Sequence, residues 1–378
     1  MKITTKNMFC ISLFIYFFSY FWLIEANSDN LFSNYNDTLF SIFKLISYAL
    51  LLVKFFLDFK SMGLNIFKSL LILLIAYISF KHSNSNFLTP VLIFIAFSKD
   101  IKCEDVVKTI FMALIFSVIP VILLSFLGII DNTIIYKSHS GEIAYSLGFY
   151  HPNTTGAIIF EIVMLYLYLN YNKINLKKIL LIMCIVIFSY YYTKSRTSAL
   201  LIAFALMSLT IYKYLKKTIS EKNAINLFSS ITKYVFITIT SVCLIISMTF
   251  EVSKVANLFT GRLGQMIYYY KYYGLTLWGQ KLLGYLNNID QLIKTKLYIL
   301  DNGYMYLLLG FGIVMFTLFI LYELKMITFA KKNMNFMLLI ILLSYIIYGF
   351  SETVLIRWNY NFSLFLIGPM LFEFRNRK

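Results

Sequence analysis

The feature that most constrains this chain is its repetition of long apolar runs, about 16 to 25 residues each, with no alternation of polar and apolar side chains inside them. Wound as a helix, a run of that length matches the hydrocarbon thickness of a bilayer. Lipid offers no partner to a backbone N–H or C=O, so only helices and closed barrels span it, and the missing period-two alternation argues against a barrel. Composition agrees, because 60% of the residues are hydrophobic and 13% charged, too little polar surface to coat a soluble globule. The expected fold class is an all-α polytopic membrane protein.

Taken in order, the runs predict about twelve transmembrane helices, at 8–24, 38–57, 65–80, 87–98, 106–130, 154–170, 177–193, 197–215, 231–250, 299–322, 334–350 and 354–372. The 87–98 run is short and contains Pro90. The first run has the basic start of a signal peptide, but no small-x-small cleavage site follows in a convincing place, so it reads as an uncleaved span. This divides the chain into nine helices over 1–250, one large extracytoplasmic loop over 251–298, and three helices with a cytoplasmic tail over 299–378.

Charge placement gives the orientation. With the N-terminus cytoplasmic, the inner loops collect groups such as Lys99, Lys102 and Lys108, or Lys213, Lys216 and Lys217, while the short outer loops carry few basic residues. The net charge of +17 is then a positive-inside signal, and both termini are expected in the cytoplasm of a cell whose plasma membrane holds the protein. Nucleic-acid binding is disfavoured, since the lysines flank apolar runs and do not form one basic face. Four scattered cysteines imply no disulfide framework, and His82 and His139 lack a second ligand type at metal spacing, so no metal or cofactor is expected.

On this topology the polar residues of the outer side come from distant parts of the sequence. Arg196 heads a span in SRTSALL, where the orientation rule disfavours positive charge; a ligand-binding role and an interfacial anchor are both open. Arg262 lies between two glycines in TGRLGQ, a setting that lets a planar guanidinium hold a phosphate through two hydrogen bonds. In GFYHPNTTG, His151 and Asn153 stand at a helix start, where capping alone would account for them. Asp301 and Asn302 begin the tenth run, with Tyr304 following, and Asp301 is either a helix-terminus carboxylate or a proton acceptor. Glu142, Glu251, Asp290 and Glu352 are rival carboxylates. Glu161, inside the sixth run, is expected to face the bundle interior. The tyrosines at 268–273 and Trp278 suit either stacking on sugar rings or an amphipathic helix at the interface.

In their order and sidedness, the boxes GFYHPNTTGAIIF, SRTSALL, TGRLGQ, DNGYMYLLLGFG and SETVLIRWNYNFSL resemble those of the Wzy-type oligosaccharide repeat-unit polymerases. These belong to the O-antigen polymerase and ligase superfamily, and this chain looks like the Gram-positive capsule or exopolysaccharide type. The resemblance implies a metal-independent glycosyltransferase of the C-type architecture acting on undecaprenyl diphosphate-linked oligosaccharide at the outer face, with a chain-length regulator as a further partner. It gives Arg196 and Arg262 to the diphosphate and Asp301 to proton transfer, and the same boxes supply His151, Asn153, Asn302, Tyr304 and Glu352 as candidate substrate-binding residues. The related ligases usually place His before Asn where this chain has Asp301 and Asn302, which supports a polymerase. The alternatives are a ligase-like glycan transferase and a lipid-linked oligosaccharide flippase. A transporter is expected to show internal repeats and charged residues inside central helices.

Overall fold

A computed structural model describes residues 4–28, 31, 35–137, 141–252, 261–282 and 300–372. Among these, nine helices are long and apolar enough to cross a membrane. In chain order the helices are α1 (Thr5–Tyr20, continued to Glu25 by a π-helical turn), α2 (Asn36–Met62), α3 (Asn65–Ser83), α4 (Thr89–Ala96), α5 (Cys103–Phe126), α6 (Pro152–Asn170), α7 (Leu176–Thr193), α8 (Arg196–Thr218), α9 (Glu221–Thr249), α10 (Arg262–Tyr273), α11 (Gly303–Gly310), α12 (Gly312–Lys332), α13 (Phe336–Ser351) and α14 (Ile367–Phe372). The chain is therefore a multi-pass, almost wholly helical protein.

Three of the expected spans take a different form. The 87–98 run holds only the eight-residue α4, as the Pro90 ring and the short apolar stretch suggest. The 299–322 run is broken at Phe311 and Gly312 into α11 and α12, with Gly312 at φ +85°. The 354–372 run is two 3₁₀ turns, Thr353–Ile356 and Phe362–Leu366, followed by the six-residue α14. Inside the 131–153 loop lies an antiparallel hairpin of β1 (Ile134–Lys137) and β2 (Glu142–Tyr145), registered Ile134 to Tyr145. The 251–298 loop is described over 251–252 and 261–282, where it contributes α10; Asp290 and the tail beyond 372 lie outside the described residues.

The chain forms two compact units, each drawn from separate parts of the sequence. One comprises 1–71, 94–207 and 365–378. In it α1 packs on α2 and α5, and α6 on α5 and α7. Near the C-terminal end of α2, the buried Lys54 ammonium meets Asp58 at 2.6 Å and donates to the Lys99 carbonyl, while Lys99 donates to the Ser61 carbonyl and hydroxyl. These charges are tolerable in the interior because each is paired and hydrogen-bonded.

The other unit comprises 72–93 and 208–364. Its centre is α13, whose residues from Phe336 to Ser344 are apolar and buried all round except for Ser344, the pattern of a helix enclosed by others and not facing lipid. Ser344 returns its hydroxyl to the Ile340 carbonyl one turn back, so it brings no unsatisfied group into the core. Around α13 pack α9, α12 and the Thr353–Ile356 turn, and Tyr212 stacks on Phe336 with ring centroids 3.6 Å apart.

Candidate functional site

The second unit gathers charged residues from three stretches of chain. Gly261, at φ +89°, turns the backbone into α10 and leaves Arg262 as its first residue. The buried face of α10, Leu263, Gly264, Met266 and Ile267, fixes the helix and so the direction of its N-terminal end. From there Arg262 Nη2 donates to Glu352 Oε1 at 2.6 Å, and its Nε lies 3.8 Å from Asp301 Oδ2. Glu352 follows α13 directly, with its backbone N–H on the Tyr348 carbonyl. Asp301 precedes α11, and its backbone N–H donates to Gln265 Oε1 at 3.5 Å, one turn along α10 from Arg262.

Arg262 keeps 23% of its side-chain exposure, Glu352 20% and Asp301 33%, a site half sunk in protein but open to a ligand. Burial pushes the Asp301 carboxyl above the usual carboxylate range, against the opposing pull of Arg262 and Arg357. The Arg262 Nε is buried and has no hydrogen-bond acceptor, because 3.8 Å to Asp301 is an ionic contact and not a bond.

Asn302 and Tyr304 hold this cluster in place. Asn302 caps α11 by accepting from the Met305 N–H at 2.8 Å, and its Nδ2 donates to the Phe350 carbonyl at 2.8 Å, tying the start of α11 to the end of α13. Tyr304 donates its hydroxyl to the Ile346 carbonyl at 2.8 Å. Each residue is 1% exposed, which leaves almost no surface for a ligand. Gly303 permits this approach, since a Cβ there would press on the Glu352 and Gly349 carbonyls.

The break between α11 and α12 is occupied by the chain that leaves α10. The Gln280 N–H donates to the Gly310 carbonyl, and the Ile313 and Val314 N–H groups donate to the Thr276 and Leu277 carbonyls, at 3.0 to 3.1 Å. Gly279 and Gly312 both have positive φ, and a Cβ on either would collide with the opposing backbone. Backbone groups freed by breaking a helix at membrane depth need such internal partners. The clasp also anchors the C-terminal end of the segment that begins with Arg262.

Arg196, His151 and Asn153 belong to the first unit. Arg196 opens α8 and pairs with Glu142 of β2 at 3.3 Å, with 64% of its side chain exposed. His151 is the N-cap of α6, its Nδ1 accepting from the Asn153 N–H at 3.0 Å, with Pro152 as the first helical residue. The two motif boxes touch through Gly156, where a Cβ would strike Ser195 and Ser198, whose hydroxyls share a 3.0 Å hydrogen bond. Glu161 is fully buried in α6, as expected for a carboxylate inside a span.

No family model, curated protein or solved structure matches this chain. Gln265 contacts Asp301 and the charge of Arg357 acts on it; Arg357 belongs to the polar set expected on the outer side, but neither residue is a site candidate from sequence. Gln265 is the last letter of TGRLGQ, one helical turn after Arg262, which is a signal for a shared face. Arg357 is the single basic residue of SETVLIRWNYNFSL, and it has no local partner to announce its role.

Proposed function

We propose that this protein is a polysaccharide polymerase that joins undecaprenyl diphosphate-linked oligosaccharide repeat units at the outer face of the plasma membrane. The observation that carries the reading is Arg262 placed between Glu352 and Asp301, three residues from three sequence boxes in one half-buried cluster beside a broken helix. The ordered resemblance of those boxes to Wzy-type polymerases, and a multi-pass helical body, support it.

The chemistry follows from the groups present. A hydroxyl oxygen of the acceptor sugar forms a bond to the anomeric carbon of the growing chain, and the bond from that carbon to the diphosphate oxygen breaks. The diphosphate leaves with the bonding pair and gains negative charge, which the Arg262 guanidinium stabilises if it exchanges Glu352 for the leaving group. Asp301 takes the hydroxyl proton. A carboxyl raised by burial is a better base than an ordinary Asp, and Arg262 and Arg357 oppose that rise. Glu352, once Arg262 turns to the leaving group, orients a sugar hydroxyl. His151, Asn153 and Arg196 remain candidates for substrate contact in the first unit.

Mass analysis of lipid-linked glycans in cells lacking the protein tests the reading. Accumulated single repeat units support polymerisation, whereas chains of wild-type length refute it. One observation favours a second reading, a lipid-linked oligosaccharide flippase. Glu323 of α12 is 1% exposed, and neither of its carboxylate oxygens has a hydrogen-bond partner among the described residues, a feature of ion or proton pathways in transporters, which also use broken helices. Translocation of lipid-linked substrate in vesicles without chain extension would decide for it.

A further inference from the structure

Arg357 sits on a built platform. Its guanidinium lies 4.5 Å from the centroid of the Phe87 ring, and the following residue, Trp358, donates its backbone N–H to the Phe87 carbonyl at 3.2 Å. Phe87 in turn packs on Tyr306 of α11 with centroids 5.0 Å apart. The turn that carries Arg357 is locked by Asn361, whose Nδ2 donates to the Leu355 carbonyl at 2.7 Å and whose Oδ1 accepts from Ser363. A guanidinium over an aromatic ring, on backbone tied at both ends, is held in place without an anion to hold it.

Its donors are unspent. Among the described residues no carboxylate forms an ion pair with Arg357, and its Nε is buried without a hydrogen-bond acceptor. Arg262 Nε is in the same condition. Two buried guanidinium N–H groups without acceptors in one unit are costly unless something supplies them. Glu352 answers one of the two positive charges directly, and the Phe87 ring under Arg357 packs on Tyr306 of α11, the helix that Asp301 precedes. Gly303, against the Glu352 carbonyl and Leu355, brings the two stretches together.

We infer that Arg357 and Arg262 form a two-guanidinium anion site beside Asp301, and that its ligand is a diphosphate ester. This rests on the lipid-diphosphate reading above, but assigns the second guanidinium to Arg357. The resemblance gives that place to Arg196, whose guanidinium pairs with Glu142 in the other unit. Planar fork donors suit the paired oxygens of a diphosphate, and the Phe87 face keeps the fork desolvated on one side.

The test is equilibrium binding to the full-length protein in detergent, with radiolabelled farnesyl diphosphate as the lipid-borne probe and inorganic pyrophosphate as the free one. Losing charge-assisted bonds from one guanidinium weakens binding by about ten- to hundredfold, and that is expected for Arg357→Ala. Arg357→Lys, which keeps the charge and stem but not the fork, is expected to weaken it by about tenfold. The lysine variant carries the test if the alanine variant does not fold. Equal competition by pyrophosphate means the site reads the head group alone; a preference for farnesyl diphosphate adds a contact to the lipid, and either agrees with the proposal. Wild-type affinity in folded Arg357→Lys and Arg357→Ala protein overturns it while leaving the polymerase reading standing. A wild-type protein that binds neither probe overturns both, and the polymerase reading fails by itself if cells lacking the protein accumulate no single repeat units.

Discussion

The contact between Arg262 and Glu352 makes a quantitative demand on stability. The pair is short, 2.6 Å, and each partner retains about a fifth of its exposure, so it lies between a surface pair and a buried one. Exposed pairs couple by about 0.2–1 kcal/mol and removal of one partner of a fully buried pair costs about 3–5 kcal/mol; this geometry predicts a coupling of roughly 1–2 kcal/mol. A double-mutant cycle isolates it: Arg262→Ala, Glu352→Ala and the double variant, each unfolded by SDS titration in mixed micelles. The single Arg262→Ala change removes the cation that faces both Glu352 and Asp301, so it should cost more than Glu352→Ala, which removes one contact. The same cycle between Arg262 and Asp301, at 3.8 Å, should give a smaller coupling. If the Arg262 and Glu352 substitutions add within about 0.5 kcal/mol, the two groups do not interact and the cluster is not as described.

Three further outcomes are expected. Asn302→Ala removes a helix cap and the bond from its amide to the Phe350 carbonyl, and should destabilise by about 2 kcal/mol in the same titration. Gly279→Ala and Gly312→Ala should each cost more than the ~1–2 kcal/mol of positive φ alone, whereas Gly274→Ala, at φ +66° with open space around it, should cost only that amount. Asp301 has a folded-state pKa above its unfolded one, so its protonated form favours folding, and its contribution is lost as pH rises from the unfolded value through the folded one. Asp301→Asn should therefore unfold no more easily than wild type at neutral pH while losing chain extension, and the acid limb of the wild-type rate profile should lie above the ordinary carboxylate range; an unchanged rate in Asp301→Asn would remove Asp301 as the base.

Much of the helical body is legible in the sequence because a bilayer-length apolar run has few alternatives. The breaks are less so. The 299–322 run is expected as one unbroken helix, and nothing local in LLLGFG says that the backbone of 276–280 fills a gap there. Only the positive φ of Gly279 and Gly312, imposed by two chains meeting face to face, explains both glycines. Likewise, Arg262 and Asp301 attract notice as polar residues in short motifs, but the pairing of Arg262 with Glu352 joins residues 90 positions apart. Asn302 shows the opposite problem: a polar residue in a motif draws attention as a ligand-binder, although its amide is consumed by a cap and a carbonyl. Arg357 is overlooked because its setting, Phe87, lies far upstream.

The distance along the chain between Arg262 and Glu352 also has a consequence for biogenesis. A ribosome delivers the guanidinium well before its carboxylate, and α11, α12 and α13 must all be inserted in the interval. Until then the guanidinium has its longer ionic contact, Asp301, but not the short one. A chain stopped after Ser351 would hold α10, Asp301 and the complete clasp yet lack the carboxylate at 2.6 Å, so the stretch that follows α13 completes the cluster.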